Sequence, residues 1–321
     1  MREPSDPPLL RGSAASWSFA EGALPVFVYP MHHETGDDAS VHAAVRRCAS
    51  RYLGRVGSIL FRGFAVHELA RFRAFAASLG PLRGSTSTLL EPPLCAASLG
   101  PCRLAAPRAG RAVALHCEHA HAARWPTQHW TWCERAPTGA APSIADTREV
   151  YRLVPKRVRN ELIASGITYV RDLGDQPERW PAQLRGLSRA ELEAWAHAHA
   201  LTPTWGPRGA PRLTWRGRVV ARHPRTGELV WFNHVHALPT SSRSDATPGL
   251  SVCYADGSAL EEGLVAEIRA AFLAAAVTIP WEAYDVLLVD NMLTAHALPE
   301  EGGRFHIALS EASAGAATPA V

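Results

Sequence analysis

The residues best placed for chemistry are His116 and Glu118 in Leu115-His116-Cys117-Glu118, read with His296 far downstream at the end of Val289-Asp290-Asn291-Met292-Leu293-Thr294-Ala295-His296. On an extended backbone, residues i and i+2 project to the same side. His116 and Glu118 can therefore aim an imidazole and a carboxylate at one point, while Cys117 faces away. Two histidines and one carboxylate with coordination positions left open make the facial triad of non-haem Fe(II) oxygenases. Those open positions let further ligands reach the same ion. Zinc hydrolases also use two histidines and a glutamate, but they set both histidines on one helix as His-Glu-x-x-His, and that motif is absent. Among 15 histidines a His-x-Glu alone is unspecific. Its weight depends on the elements that carry it.

Those elements read as strands. Arg111 to Leu115 is a short buried run that leads into His116, and Tyr284 to Asn291 is another, ending in a polar turn that presents His296. Further strands are expected at Ser58 to Phe64, across Trp125 to Cys133, at Arg218 to His223 and Leu229 to His234, and last at Arg304 to Leu309. Leu24 to Pro30, with prolines at both ends, suits a sheet edge. Helices are expected from Ser40 to about Gly54, from Leu69 to Gly80, and over Asp146 to Gly166 with a break at Pro155. Ser188 with Glu191, and Ser258 with Glu261, have the spacing of capping boxes. Many short strands, few helices and no alternating βαβ pattern predict a mainly β fold with added helices, a sandwich or jelly roll. Residues 81 to 110 read as a long loop walling the site, and 172 to 215 as an insertion over the sheet. The expected layout is a disordered stretch over 1–15, one domain over 16–310 and a flexible tail over 311–321.

Composition narrows the function. At 321 residues, 47% hydrophobic and 20% charged, the chain resembles an ordinary soluble domain. A net charge of +3 without a basic run argues against nucleic acid. No apolar run approaches about 18 residues, so no membrane span is expected. Six cysteines without framework spacing, and no signal peptide, point to reduced thiols in the cytoplasm.

With these segments placed, the sequence resembles the taurine dioxygenase-like family of Fe(II)/2-oxoglutarate oxygenases, and within it the SyrP-like and asparagine-oxygenase-like amino-acid hydroxylases. The resemblance rests on Gly57 to Phe64, Leu115-His116-Cys117-Glu118, Trp125-Pro126, Ile144-Ala145-Asp146-Thr147-Arg148, Tyr169-Val170-Arg171, Trp231-Phe232-Asn233, Tyr254 to Ser258 and Asp285 to Asn291, in the family's order. It implies a double-stranded β-helix (jelly roll, cupin-like), iron held by His116, Glu118 and His296, and 2-oxoglutarate as co-substrate. It further implies that Arg304 pairs with the co-substrate carboxylate, for which arginine's planar fork is suited. Two departures stand out: Pro142 occupies the place of a co-substrate threonine, and Ala297-Leu298 follow His296 where the family has Gly-Arg.

The activity implied is hydroxylation of an unactivated C–H bond in an amino acid or derivative, free or tethered to a carrier protein, coupled to conversion of 2-oxoglutarate and O2 to succinate and CO2. Glu118 disfavours the halogenase variant, which has a small residue there. Arg171, Trp130, Trp132 and His234 are candidate substrate contacts. The other nearby histidines read as buried polar contacts, and Asn291 as a residue that shapes its turn. Two alternatives are a same-fold iron oxygenase that has left ordinary 2-oxoglutarate use, and a catalytically silent binding protein.

Overall fold

The apolar runs around the candidate ligands pair with one another in a computed structural model. It describes residues 9–12, 15–18, 24–30, 38–82, 115–139, 142–206, 209–240, 249–298 and 302–310. Seven strands form the largest sheet, in the order Leu9–Gly12, Ala15–Ser18, Val26–Pro30, Ser58–Phe61, Val286–Asp290, Gln128–Arg135 and Arg304–Leu309. Neighbours are antiparallel except Val26–Pro30 with Ser58–Phe61, which run parallel. A three-stranded antiparallel sheet, Ala276–Thr278, Pro142–Asp146 and Thr294–His296, faces it. Leu60, Cys133, Leu287, Val289 and Phe305 from the first sheet meet Ile144 from the second in one apolar cluster.

Alternation along each strand decides what lies on the other side. Val286 and Leu288 point away from that interior, with Trp130 and Trp132, into a cluster covered by the helices Asp38–Cys48 and Leu69–Ala77. The outer side of the three-stranded sheet packs through Ala145 and Ala295 against Thr147–Leu153, Lys156–Ser165 and Glu262–Ala275. A four-stranded antiparallel sheet, Gly249–Tyr254, Ile167–Asp172, Pro211–Gly217 and Thr202–Trp205, joins this cluster. Helices thus cover both sides of the paired sheets, and the fold is mixed α/β rather than mainly β.

Several expectations change with the tertiary pairing. Val26–Pro30 is not an edge strand, because the hairpin Leu9–Gly12 and Ala15–Ser18 adds beyond it, within a stretch expected to be disordered up to about residue 15. The 172–215 segment keeps its capped helix Arg189–Ala198, with the Ser188–Glu191 box formed. It does not simply lie over a sheet, since it contributes Thr202–Trp205 and most of Pro211–Gly217 and has its own core of Leu184, Leu192 and Leu213. The second capping box does not form: Asp256 Oδ1 accepts from both the backbone N–H and the hydroxyl of Ser258, and the helix begins at Glu262. Pro155 does separate two helices, the first capped by Asp146 accepting from Arg148 N–H. The wall loop 81–110 lies, apart from its first two residues, outside the described residues, as do residues 111–114 and the tail.

Cys48, Cys117, Cys133 and Cys253 are buried and form no disulfide. No helix among the described residues is long and apolar enough to cross a membrane.

Gly57 couples the fold to the site. Its φ is +90°, and a Cβ there would clash with Thr294 Oγ1, on the strand that ends at His296, and meet Leu293 Cβ, just before that strand, at 3.1 Å. Gly57→Ala is expected to lower stability by more than about 1 kcal/mol, from backbone strain and the clash together, and to weaken Fe(II) binding through Thr294. Denaturant melts with anaerobic metal titration check this, and an unchanged midpoint would refute it.

Candidate metal centre

The two histidines meet through the backbone. His116 N–H donates to His296 O at 3.0 Å, and His296 N–H donates to His116 O at 2.8 Å, so the residues are direct partners in an antiparallel bridge. Direct partners present their side chains on one face, and Glu118 joins that face two residues on. One ligand atom from each of His116, Glu118 and His296 lies within 4.8 Å of the other two, and all three residues are buried. Glu118 Oε1 is 3.5 Å from Nε2 of both histidines. That is long for a hydrogen bond but close enough for all three atoms to converge on one divalent ion at roughly 2 Å each. The donor set therefore fits iron.

Charge follows the same geometry. Burial alone would raise the Glu118 carboxyl, but the flanking His116 and His296 outweigh it and hold the group well below the usual carboxylate range. Burial pushes His296 down, partly opposed by Glu118. An ionised carboxylate beside a neutral imidazole is the protonation state that ligation needs.

Polar side chains fix the backbone that carries the ligands. Asn291 is fully buried and holds the Glu118 peptide from both sides: its Oδ1 accepts from Glu118 N–H at 2.7 Å, and its Nδ2 donates to Glu118 O at 2.9 Å and Pro126 O at 2.8 Å. Its expected role as a turn former understated this. The turn itself is held by Asp290, whose Oδ1 accepts from the N–H groups of Met292 and Leu293 and whose Oδ2 meets His223 and Arg225. His234 and His236 reach the carbonyls on either side of His116, at Cys117 O (2.7 Å) and Leu115 O (2.6 Å).

The remaining expected site residues are distributed differently. Both ring nitrogens of His234, a candidate substrate contact, have partners within the chain. Its Nε2 is used at Cys117 O and its Nδ1 lies 3.0 Å from His121 Nδ1, so the ring supports the ligand strand. Since the neutral ring donates from Nε2, His121 must donate in that pair. Trp130 and Trp132, expected to face a substrate, pack in the apolar cluster under the helices. Strand alternation turns them toward the helices, where Trp130 meets Phe75 edge-on and Trp132 stacks on Phe72. The inward position on that strand belongs to His129, whose ring stacks on His296 at 3.8 Å between centroids; its two-residue parity with Thr131 and Cys133 was the available signal. Arg304 opens the last strand as expected, but its guanidinium pairs with Glu134 at 2.8 Å, and His306 takes the other Glu134 oxygen. Two residues before His306, Arg304 shares its face, that of Trp132 rather than that of the triad, and the register shift between Arg304 and Phe305 makes Arg135 its direct partner. Arg171 lies on Ile167–Asp172, two residues from Tyr169 and on its face.

The pattern that defines the taurine catabolism dioxygenase TauD, TfdA family matches residues 35–306. The chain belongs to this family. It is similar to the dapdiamide synthesis protein DdaC of Enterobacter agglomerans, 26% identical over 268 residues that cover 78% of this chain and 81% of that protein. It is also similar to the clavaminate synthase-like protein At3g21360 of Arabidopsis thaliana, 25% identical over 263 residues, covering 75% and 77%. Among solved structures, PvcB of Pseudomonas aeruginosa superposes with a TM-score of 0.54 at 13% identity, covering 95% of this chain and 94% of that one, a likeness of fold. As a TauD/TfdA family member with its triad assembled, the protein is a non-haem dioxygenase that uses Fe(II) and 2-oxoglutarate.

Two outcomes follow for the support of the centre. Asn291→Asp sets a carboxylate oxygen against the carbonyls of Glu118 and Pro126. It should cost about 1–3 kcal/mol in stability and at least tenfold in Fe(II) affinity, read by denaturant melts and anaerobic calorimetry. Unchanged affinity would show that the Glu118 peptide needs no clamp. Burial pushes His236 from 6.5 down to about 4, so its neutral ring stabilises the fold above the unfolded value. That contribution, about 3 kcal/mol, is lost as pH falls from about 6.5 to 4. In metal-free protein, His236→Gln should flatten this part of the stability–pH profile, and an equally steep fall would refute it.

Proposed function

We propose that the enzyme hydroxylates an unactivated C–H bond of an amino acid or amino-acid derivative, free or carrier-bound, in the biosynthesis of a secondary metabolite. The facing seven- and three-stranded sheets act in this reading as the walls of a double-stranded β-helix. The observation that carries the proposal is the complete triad with Glu118 in place: three protein ligands on one face leave the opposite face for co-substrate and O2. With Fe(II) and 2-oxoglutarate bound, the site supplies oxidative decarboxylation of the co-substrate to succinate and CO2, with one oxygen atom passed to the substrate. The chain's own part is orientation. Asn291 and the paired imidazoles hold His116 and Glu118 rigid, while Leu287, Val289 and Phe305 keep the interior apolar.

Arg171 supports an anionic substrate. Its Nε is buried without a hydrogen-bond partner among the described residues, and burial lowers its pKa. A guanidinium so placed favours a carboxylate as its partner. It shares a strand face with Tyr169, whose hydroxyl accepts from His234 N–H behind the triad strand. The names of two relatives agree with a biosynthetic setting: one is a dapdiamide synthesis protein, and PvcB is described as belonging to an isonitrile synthetic pathway.

An anaerobic titration with Fe(II) and 2-oxoglutarate should develop a visible metal-to-ligand charge-transfer band. In air, a panel of amino acids and their amides should then reveal a substrate that accelerates succinate release and gains one oxygen atom by mass. Arg171→Met should raise the KM of the acid at least tenfold and that of its amide little. A product that has only lost hydrogen would replace hydroxylation with another oxidation, and equal effects on acid and amide would remove Arg171 from substrate binding.

A further inference from the structure

The inward-facing side of the seven-stranded sheet is apolar along Leu287, Val289, Phe305 and Ile307. His129 interrupts it. The residue is fully buried, its ring lies flat on His296 at 3.8 Å and 24°, and its Nε2 is 4.0 Å from Glu118 Oε1. Nδ1 has Thr131 Oγ1 at 3.4 Å, whereas Nε2 has no hydrogen-bond partner among the described residues. An imidazole nitrogen left unsatisfied in the interior costs about 1–3 kcal/mol, so its retention beside the ligands calls for a partner that arrives with the reaction.

His129 is not a fourth ligand by distance, because among the described residues only His116, Glu118 and His296 satisfy the common 4.8 Å separation. Its tautomer is set by its neighbours. The Thr131 hydroxyl can donate to Nδ1, and the nearest charged atom to Nε2 is a carboxylate oxygen, which favours the proton at Nε2. The side chain therefore presents one N–H donor to the space next to the metal.

We propose that His129 is a co-substrate-binding residue whose Nε2–H donates to the iron-chelating carboxylate of the 2-oxo acid. This rests on the Fe(II)/2-oxoglutarate reading of the site. It also explains why the centre can work with Arg304 committed to Glu134, since part of the anion recognition sits at the chelating end.

The test uses wild type, His129→Phe and His129→Gln as full-length protein under anaerobic conditions. Phe keeps the flat stack on His296 and removes the donor; Gln keeps an N–H. Calorimetry reads Fe(II) affinity, and the charge-transfer band reads the position and strength of 2-oxo acid binding. For His129→Phe, Fe(II) affinity should stay within about threefold while the Kd for 2-oxoglutarate rises about ten- to a hundredfold and the band shifts. His129→Gln should recover most of the affinity. Pyruvate, which lacks the distal carboxylate, should lose as large a factor as 2-oxoglutarate, because the contact is at the end both share. An unchanged Kd in the Phe variant overturns the proposal, as does a collapse of Fe(II) affinity, which would make His129 a ligand or a prop for His296. A penalty for 2-oxoglutarate but not pyruvate would move the contact to the distal end and also overturn it. If wild type itself shows no band, the co-substrate reading fails first, and that outcome is distinguishable from the others.

Discussion

The reciprocal backbone bridge between His116 and His296 is the constraint on which the site depends. Two hydrogen bonds of 3.0 and 2.8 Å place ligands from distant parts of the chain side by side and on one face. Once that register exists, the i+2 position of Glu118 completes the triad without a special loop. A slip of one residue would turn both His116 and Glu118 into the cluster that holds Leu115 and Cys117. The register must therefore be held firmly, and the surrounding residues do so. Thr294–His296 pairs with Pro142–Asp146, Thr147 N–H donates to Leu293 O, and Gly57 lets the neighbouring chain approach Thr294 closely.

Around this bridge the interior carries an unusual density of buried polar side chains, and most have a defined task. Asn291 satisfies both polar groups of the Glu118 peptide, while His234 and His236 reach the carbonyls flanking His116. Such groups are expensive when unpaired and specific when paired. Paired to the backbone in this way, they hold the segments that carry the three ligand atoms. Burial disfavours the charged form of His234, His236 and His296, so these rings do not repel the incoming metal.

The two faces of the sheet at its last strands carry different polar groups. Arg304 opens the last strand but shares Glu134 with His306 on the far face of the sheet. On the near face, His129 offers a single donor beside Glu118. The sheet interior thus carries a polar group beside the triad, while Leu60, Ile144, Leu287 and Phe305 form its apolar cluster.

Much of this was legible in the sequence where the signal is local. The two-residue spacing of His116 and Glu118, the break at Pro155, the Ser188–Glu191 box and the apolar runs at 58–61, 286–290 and 304–309 depend on neighbours along the chain, and each appears where expected. What only the tertiary structure decided are the outcomes of alternation and register. Trp130 and His129 differ by one position, and the packing of two helices on one side made the tryptophan core and the histidine a site residue. Arg304 lost its expected direction to the alternation that sets it on the face of His306 and Trp132, and His234 to a carbonyl that needed a donor. Ser258 found Asp256 closer than the helix it was expected to cap. Residue type and spacing determine which groups can bind a metal. Which of them face it depends on pairings between segments far apart in the chain, and those are set by the burial of whole sheet faces.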